Sequence, residues 1–344
     1  MASLTLALSQ YREILSRHKA LSVSAVAAAS TYLLWRWVAL GRPHVAFGGL
    51  QPTSRCGRVS VCRVGPSFAV AEPSQCHATP VVLVHGMWHG AWYFQELQRI
   101  LAEHGFTTYA LQLNPGPLKF WGAFERDVKK AIRSLNLGSC VLLGHSQGGI
   151  LVQSVLRDTE FAKEIGAGGV ALCGTVPLSS IAVAASMLWQ GQIKPQTRNI
   201  ITELGLLGNW YYGIFGRLWS EDVMRRVFFL PSTQDTSTCT GGMREYVART
   251  LAAPSDGWPT AQHFLGRTPS FAHLAHADVL LVTAERDIIY PPTLLPLFQY
   301  FFPQLEHHMA REQAHCFADP GWERELAEPL VDWLQRREQR RTSQ

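Results

Sequence analysis

Charge is scarce in this chain of 344 residues: Asp, Glu, Lys and Arg together make up 17%, against roughly 25% in ordinary soluble domains. With an apolar share of 47%, that excludes a disordered or solvating polymer and leaves ample material for a core. No block of Lys and Arg interleaved with aromatics occurs, and the net charge is only +5; a nucleic-acid partner is not expected. The seven cysteines, at positions 56, 62, 76, 140, 173, 239 and 316, are odd in number and lack a C-x-x-C pair. This excludes a zinc ribbon and a full disulfide framework, and points to a reducing compartment. No internal repeat is visible.

Acidic residues are also missing locally. Glu13 is the only one before Glu72. Within this acid-free stretch, residues 21–40 read LSVSAVAAASTYLLWRWVAL, fifteen of twenty apolar with Arg36 the single charge. About twenty such residues are enough to cross a bilayer as a helix. Tyr32, Trp35 and Trp37 suit an interface, and Arg36 is placed to snorkel. The leading expectation is a membrane anchor or targeting segment over residues 1–45. A plastid or mitochondrial transit peptide and the apolar region of a signal peptide stand as alternatives.

After a Gly/Pro/Ser-rich stretch the pattern becomes regular. PVVLVHG (80–86), TTYALQL (107–113), SCVLLG (139–144), GGVALCGTVP (168–177) and DVLLVTAERD (278–287) are short apolar runs that read as buried strands. Helical spacing separates them: Ala91 to His104, Phe120 to Leu135 with Phe124, Val128 and Ile132 on one side, and Gln147 toward Leu156. A last helix is expected from Pro320 to Arg336. Such alternation predicts an α/β architecture, a mostly parallel sheet with helices on both faces. Between Pro177 and Ala277 the rhythm lapses, and aromatics such as Trp189, Trp210, Trp219, Phe228 and Trp258 accumulate. The segment is too long for a loop, so a helical lid over one end of the sheet is expected. The resulting division is 46–77 as a linker with room for first strands, 78–176 and 277–337 as core, 177–276 as lid, and 338–344 as a basic tail; the run Arg336 to Arg341 is read as a frayed, solvated helix end or a contact for anionic lipid.

The strongest chemical signal is Gly144-His145-Ser146-Gln147-Gly148, a G-x-S-x-G that follows an apolar strand and opens a helix. A sharp strand-to-helix turn lifts a serine hydroxyl above the sheet edge and needs glycines on both sides, because the tight backbone leaves no room for side chains. The helix N-terminus behind Ser146 favours developing negative charge. In this context the chain resembles a member of the α/β-hydrolase superfamily. The string HGMWHGAW (85–92) is similar to that of plant methylesterases and hydroxynitrile lyases, and of related bacterial esterases.

The resemblance implies several roles. The backbone N–H groups of Met87 and Gln147 pair as an oxyanion hole. In DVLLVTAERDIIYPP, Asp287 matches the family's carboxylate, with Glu285 as rival and Asp278 at the wrong end of its strand. His315, ahead of the final helix, matches the base and completes the order Ser–Asp–His. The family commonly has Gly before that histidine; here Ala314 stands instead. His307 and His308 compete but fall in or beside the preceding strand. His145 is expected to be a packing residue beneath the turn, and His89 to make a loop hydrogen bond rather than touch substrate.

A Ser nucleophile argues against the dehalogenase and epoxide-hydrolase branches. The implied activity is a serine esterase or lipase-like hydrolase acting on a small lipophilic carboxylic ester, with no metal and no cofactor. Alternatives are an acyltransferase or lyase on the same site, or a membrane-tethered binding protein with an inactive hydrolase fold.

Overall fold

The computed structural model describes residues 53–56, 59–65, 77–87, 89–113, 121–175, 225, 228–230, 246, 277–290, 292–301, 303 and 305–343. The predicted anchor at 21–40 and nearly all of the predicted lid at 177–276 lie outside the described residues. Residues 45–344 belong to one compact unit, separate from residues 1–44.

Eight strands are described: β1 (Ser54–Cys56), β2 (Val59–Val64), β3 (Val81–Val84), β4 (Thr108–Gln112), β5 (Cys140–His145), β6 (Ala167–Cys173), β7 (Asp278–Ala284) and β8 (Glu306–Ala310). They form one sheet in the order β1-β2-β4-β3-β5-β6-β7-β8. The pairings of β1 with β2 and β2 with β4 are antiparallel, and those from β4 to β8 are parallel. The five core strands anticipated from sequence are present. The helices are α1 (Gln95–Glu103, entered through a 3-10 turn at Ala91–Phe94), α2 (Trp121–Leu135), α3 (Gln147–Leu156), α4 (Thr159–Glu164), α5 (Leu295–Phe301) and α6 (Glu328–Thr342, entered through a π-helical turn at Glu323–Ala327). Among the described residues, no helix is long and apolar enough to cross a membrane.

Strand alternation sorts the core into two layers. Val81, Leu83, Val141, Leu143 and Ala171 face Leu97, Leu101, Leu330 and Trp333. Val82, Val84, Leu142, Val170 and Leu172 face Phe124, Val128, Ile132, Leu151 and Val155. Both faces of the central strands are therefore dry, which explains their unbroken apolar runs. The parallel strands all end at one rim. The segments that follow β3, β5, β7 and β8 emerge there together, where ligands bind in open α/β sheets.

The C-terminus departs from expectation. Helix α6 continues to Thr342, and Arg337 and Glu338 are buried rather than frayed. Gly168 and Gly169 in β6 leave the space that the Arg337 guanidinium occupies; a Cβ on Gly168 would lie 2.3 Å from Arg337 Nη2. Thr79 Oγ1 donates to Glu338 Oε2 at 2.6 Å. The glycines and this buried hydrogen bond dock the helix end onto the sheet, which residue composition alone did not reveal.

Candidate active site

Strand β5 delivers Ser146 into a conformation that L-residues rarely adopt, φ 52° and ψ −125°. Its neighbours must be small. A Cβ on Gly148 would lie 2.1 Å from the Val84 carbonyl oxygen, and one on Gly144 2.4 Å from the Gly149 Cα. Backbone meets backbone at both places, so no rotamer change relieves the overlap. The Ser146 N–H donates to the Cys173 carbonyl at 2.9 Å, tying the turn to β6.

Three side chains distant in sequence meet at this point. His315 Nε2 lies 2.9 Å from Ser146 Oγ, and His315 Nδ1 lies 2.8 Å from Asp287 Oδ2. His315 and Asp287 are buried, whereas Ser146 is partly exposed. The second carboxylate oxygen, Asp287 Oδ1, accepts the N–H groups of Ile289 and Tyr290 at 2.7 and 2.8 Å. The acid is thus oriented by its own turn and directs its free edge at the imidazole. The rings of Phe228 and Tyr290 lie 5.9 and 5.8 Å from that of His315, giving it an apolar surround.

The rivals are engaged elsewhere. Glu285 Oε2 accepts the N–H of Glu312, Asp278 pairs with Arg337 and Arg340, His307 pairs with Thr283, and His308 faces Glu325 at 3.8 Å. Ala314, where the family has Gly, is buried and has no positive φ, so a methyl group is tolerated. Its N–H donates to Asp319 Oδ2 at 2.9 Å.

The loop after β3 passes close to the serine: a Cβ on Gly86 would sit 2.9 Å from Ser146 Cβ. His85 explains its attitude. The Leu113 N–H donates to His85 Nε2 at 3.1 Å, so Nδ1 carries the proton and donates to the Gly86 carbonyl at 2.8 Å. That carbonyl belongs to the peptide whose N–H is Met87's. In a trans peptide the two point opposite ways, so His85 fixes the direction of the Met87 N–H. Gln147 opens α3 directly after Ser146.

His145 and His89 are buried, and burial depresses the pKa of each, that of His89 to about 3. His145 does more than fill space: its Nε2 lies 3.1 Å from the His315 carbonyl. His89 makes the expected loop bond, from Nδ1 to the Met87 carbonyl at 2.6 Å, and also bonds Tyr246. Sequence reasoning did not find Asp319, whose two carboxylate oxygens accept Leu230 N–H and Ala314 N–H, each at 2.9 Å. Its position four residues after the histidine, before Pro320, was the available signal. Cys62, Cys140, Cys173 and Cys316 are buried thiols outside any disulfide, and among the described residues no cluster suited to a metal ion occurs.

Solved structures share this fold at low identity. A carboxylesterase from the thaumarchaeon Nitrososphaera gargenis superposes with a TM-score of 0.55 at 13% identity, over 83% of this chain and 97% of the other. A proline iminopeptidase of Mycobacterium smegmatis gives 0.55 at 19%, over 82% and 94%. A membrane phospholipase A described as a bacterial virulence factor gives 0.55 at 15%, over 94% and 98%. Such likeness speaks for the fold and not for the substrate. No curated protein matches the chain by sequence. The family model described as "Alpha/beta hydrolase family" matches residues 81–341. The chain belongs to the α/β-hydrolase family.

Proposed function

We propose that the protein is a serine hydrolase that cleaves a lipophilic carboxylic ester through an acyl-enzyme on Ser146. The observation that carries this reading is the unbroken relay from Ser146 Oγ to His315 at 2.9 Å and from His315 to Asp287 at 2.8 Å, at a serine held in a strained turn.

His315 Nε2 takes the hydroxyl proton as Ser146 Oγ attacks the ester carbonyl. Asp287 keeps the proton of the neutral imidazole on Nδ1 and stabilises the imidazolium that forms. Negative charge collects on the former carbonyl oxygen, which the N–H groups of Met87 and Gln147 receive; such donors are worth about 3–4 kcal/mol each in a protease where one was removed. His315 then protonates the leaving alcohol, and water repeats the sequence on the acyl-enzyme. In that second half His315 takes the proton of the attacking water and returns it to Ser146 Oγ as the acid leaves.

The aromatic surround of His315, with Phe228 contributed by the 177–276 segment, supports an apolar acyl or alcohol group. The esterase and phospholipase among the structural neighbours act on esters by name, which is consistent with this choice. A membrane-facing position through residues 21–40 belongs to the same reading. Purified protein is expected to hydrolyse short p-nitrophenyl esters and to be labelled by a fluorophosphonate at Ser146, and Ser146→Ala to lose both while remaining folded. Retained turnover in that variant refutes the nucleophile. Product acid formed in isotopically labelled water separates hydrolysis from transfer or lyase chemistry, because only hydrolysis places solvent oxygen in the acid.

A further inference from the structure

One buried polar chain runs from the 177–276 segment to the loop after β3. Tyr246, fully buried, bonds Nε2 of His89 through its hydroxyl. On the other side of the ring, Nδ1 lies 2.6 Å from the Met87 carbonyl. A carbonyl only accepts, so Nδ1 carries the proton. The ring is neutral, which leaves Nε2 as the acceptor. The phenol therefore donates, and the chain has one direction: Tyr246 O–H to His89, His89 N–H to Met87 carbonyl. Trp92 and Phe229 pack edge-on against Tyr246 at 5.4 and 4.9 Å, which restricts sideways movement of the phenol.

We propose that His89 and Tyr246 are positioning residues, a strut through which the Tyr246 hydroxyl sets the attitude of Met87 and hence the rate of the acyl step. The inference rests on the assignment of Met87 as an oxyanion donor. Both peptides flanking Met87 are anchored at their carbonyls. His85 holds the one before it from within the core, at 2.8 Å, whereas His89 holds the one after it. Only the second anchor reaches Tyr246. When Tyr246 is seated, the ring of His89 cannot turn without breaking a bond at each nitrogen. Without the Tyr246 hydroxyl, His89 keeps at Nε2 only the longer contact to Cys316 Sγ at 3.6 Å, and the loop is held less firmly. A direct substrate contact from His89 does not fit, because both ring nitrogens are engaged inside the protein.

The test uses the full chain and p-nitrophenyl butyrate, with Tyr246→Phe, His89→Asn and the double variant. The Asn amide sits near the place of Nδ1 and still donates to Met87, but it does not reach Tyr246. Tyr246→Phe is expected to lower kcat about tenfold, less than the roughly 10²–10³-fold cost of deleting an oxyanion donor outright. KM should stay within about twofold, as for an interaction made in the transition state. His89→Asn should lose a similar factor, and the double variant no more than the worse single one, because both cut the same link.

Losses that multiply in the double variant, a loss confined to KM, or an unchanged kcat overturns the strut. Should His89→Asn fail to fold, the kcat and KM of Tyr246→Phe decide alone. Fluorophosphonate labelling of the wild type separates two failures. Label on Ser146 with Tyr246→Phe fully active overturns the strut and leaves the hydrolase reading standing; no label on Ser146 removes both.

Discussion

His145 Nε2 lies 3.1 Å from the carbonyl oxygen of His315, so the residue before Ser146 holds the backbone of the residue that faces that serine. The serine and the imidazole are thereby fixed to one another through the chain as well as through their own contact. Gln projects an amide near the place of Nε2 and retains this bond; Leu does not. His145→Leu is expected to lower kcat by about 10–100-fold, since small misplacements of reacting groups carry losses of that order. His145→Gln should recover most of it. Steady-state kinetics on both variants, with circular dichroism to verify folding, makes the comparison.

Ser146 is held at φ 52°. A residue kept in such a region costs of order 1–3 kcal/mol, which glycine avoids. Glycine also makes the unfolded chain more mobile, by about 0.4–1 kcal/mol. Ser146→Gly is therefore expected to be inactive yet more stable by about 1 kcal/mol in urea unfolding. A variant less stable than the parent contradicts the strain argument.

Asp319 is buried and accepts N–H groups from Leu230 and from Ala314, the residue before His315. Asp319→Ala leaves both donors without that acceptor, and stability is expected to fall by about 3 kcal/mol, at roughly 1–3 per buried group. The activity of the fraction that remains folded should fall as well, because the turn carrying the imidazole loosens. Asp319→Asn keeps one acceptor oxygen and should show about half the loss in denaturant titration.

Acid should destabilise the fold before its carboxylates titrate. His89 and His145 are held neutral by burial, His89 down to a pKa of about 3, while an unfolded chain binds protons near the ordinary value of 6.5. Below 6.5 the unfolded state takes up protons that the native state refuses, so stability rises with pH there and is complete above it. Each such ring contributes a slope of up to about 1.4 kcal/mol per pH unit. Glu338, which burial pushes up but the hydrogen bonds from Thr79 and Arg341 and the Arg341 charge together hold below its ordinary value, adds a further loss as the medium passes below 4.5. Unfolding free energies between pH 7.5 and 5 measure the slope, and His89→Asn should flatten it by about one proton.

Much of this was legible from local pattern. Strands β3, β5 and β7 are buried on both faces over nearly their whole length, so their runs are almost continuously apolar and identify themselves. The turn around Ser146 was legible because two backbone clashes forbid anything but glycine at 144 and 148. Asp287 and His315 were named from likeness and chain order, not from any local constraint, and the structure brings both to Ser146. Arg337 and Glu338 were misread as a solvated end, since a charged residue that buries itself over two glycines in another strand looks in sequence like any surface charge. Asp319 was missed for the same reason: its partners, at 230 and 314, are set by tertiary approach.

Sequence by itself determined the period of each strand, the places where only glycine fits, and the chemical types available at the rim. Those are local properties, dictated by sterics and by the exclusion of apolar side chains from water. Tertiary structure alone decided which imidazole meets the serine, which nitrogen of each buried histidine carries its proton, and which carbonyls those rings hold. Hydrogen bonds act over about three ångströms, whereas His145 and the carbonyl it holds stand 170 residues apart; only the parallel order of the strands brings them to one edge.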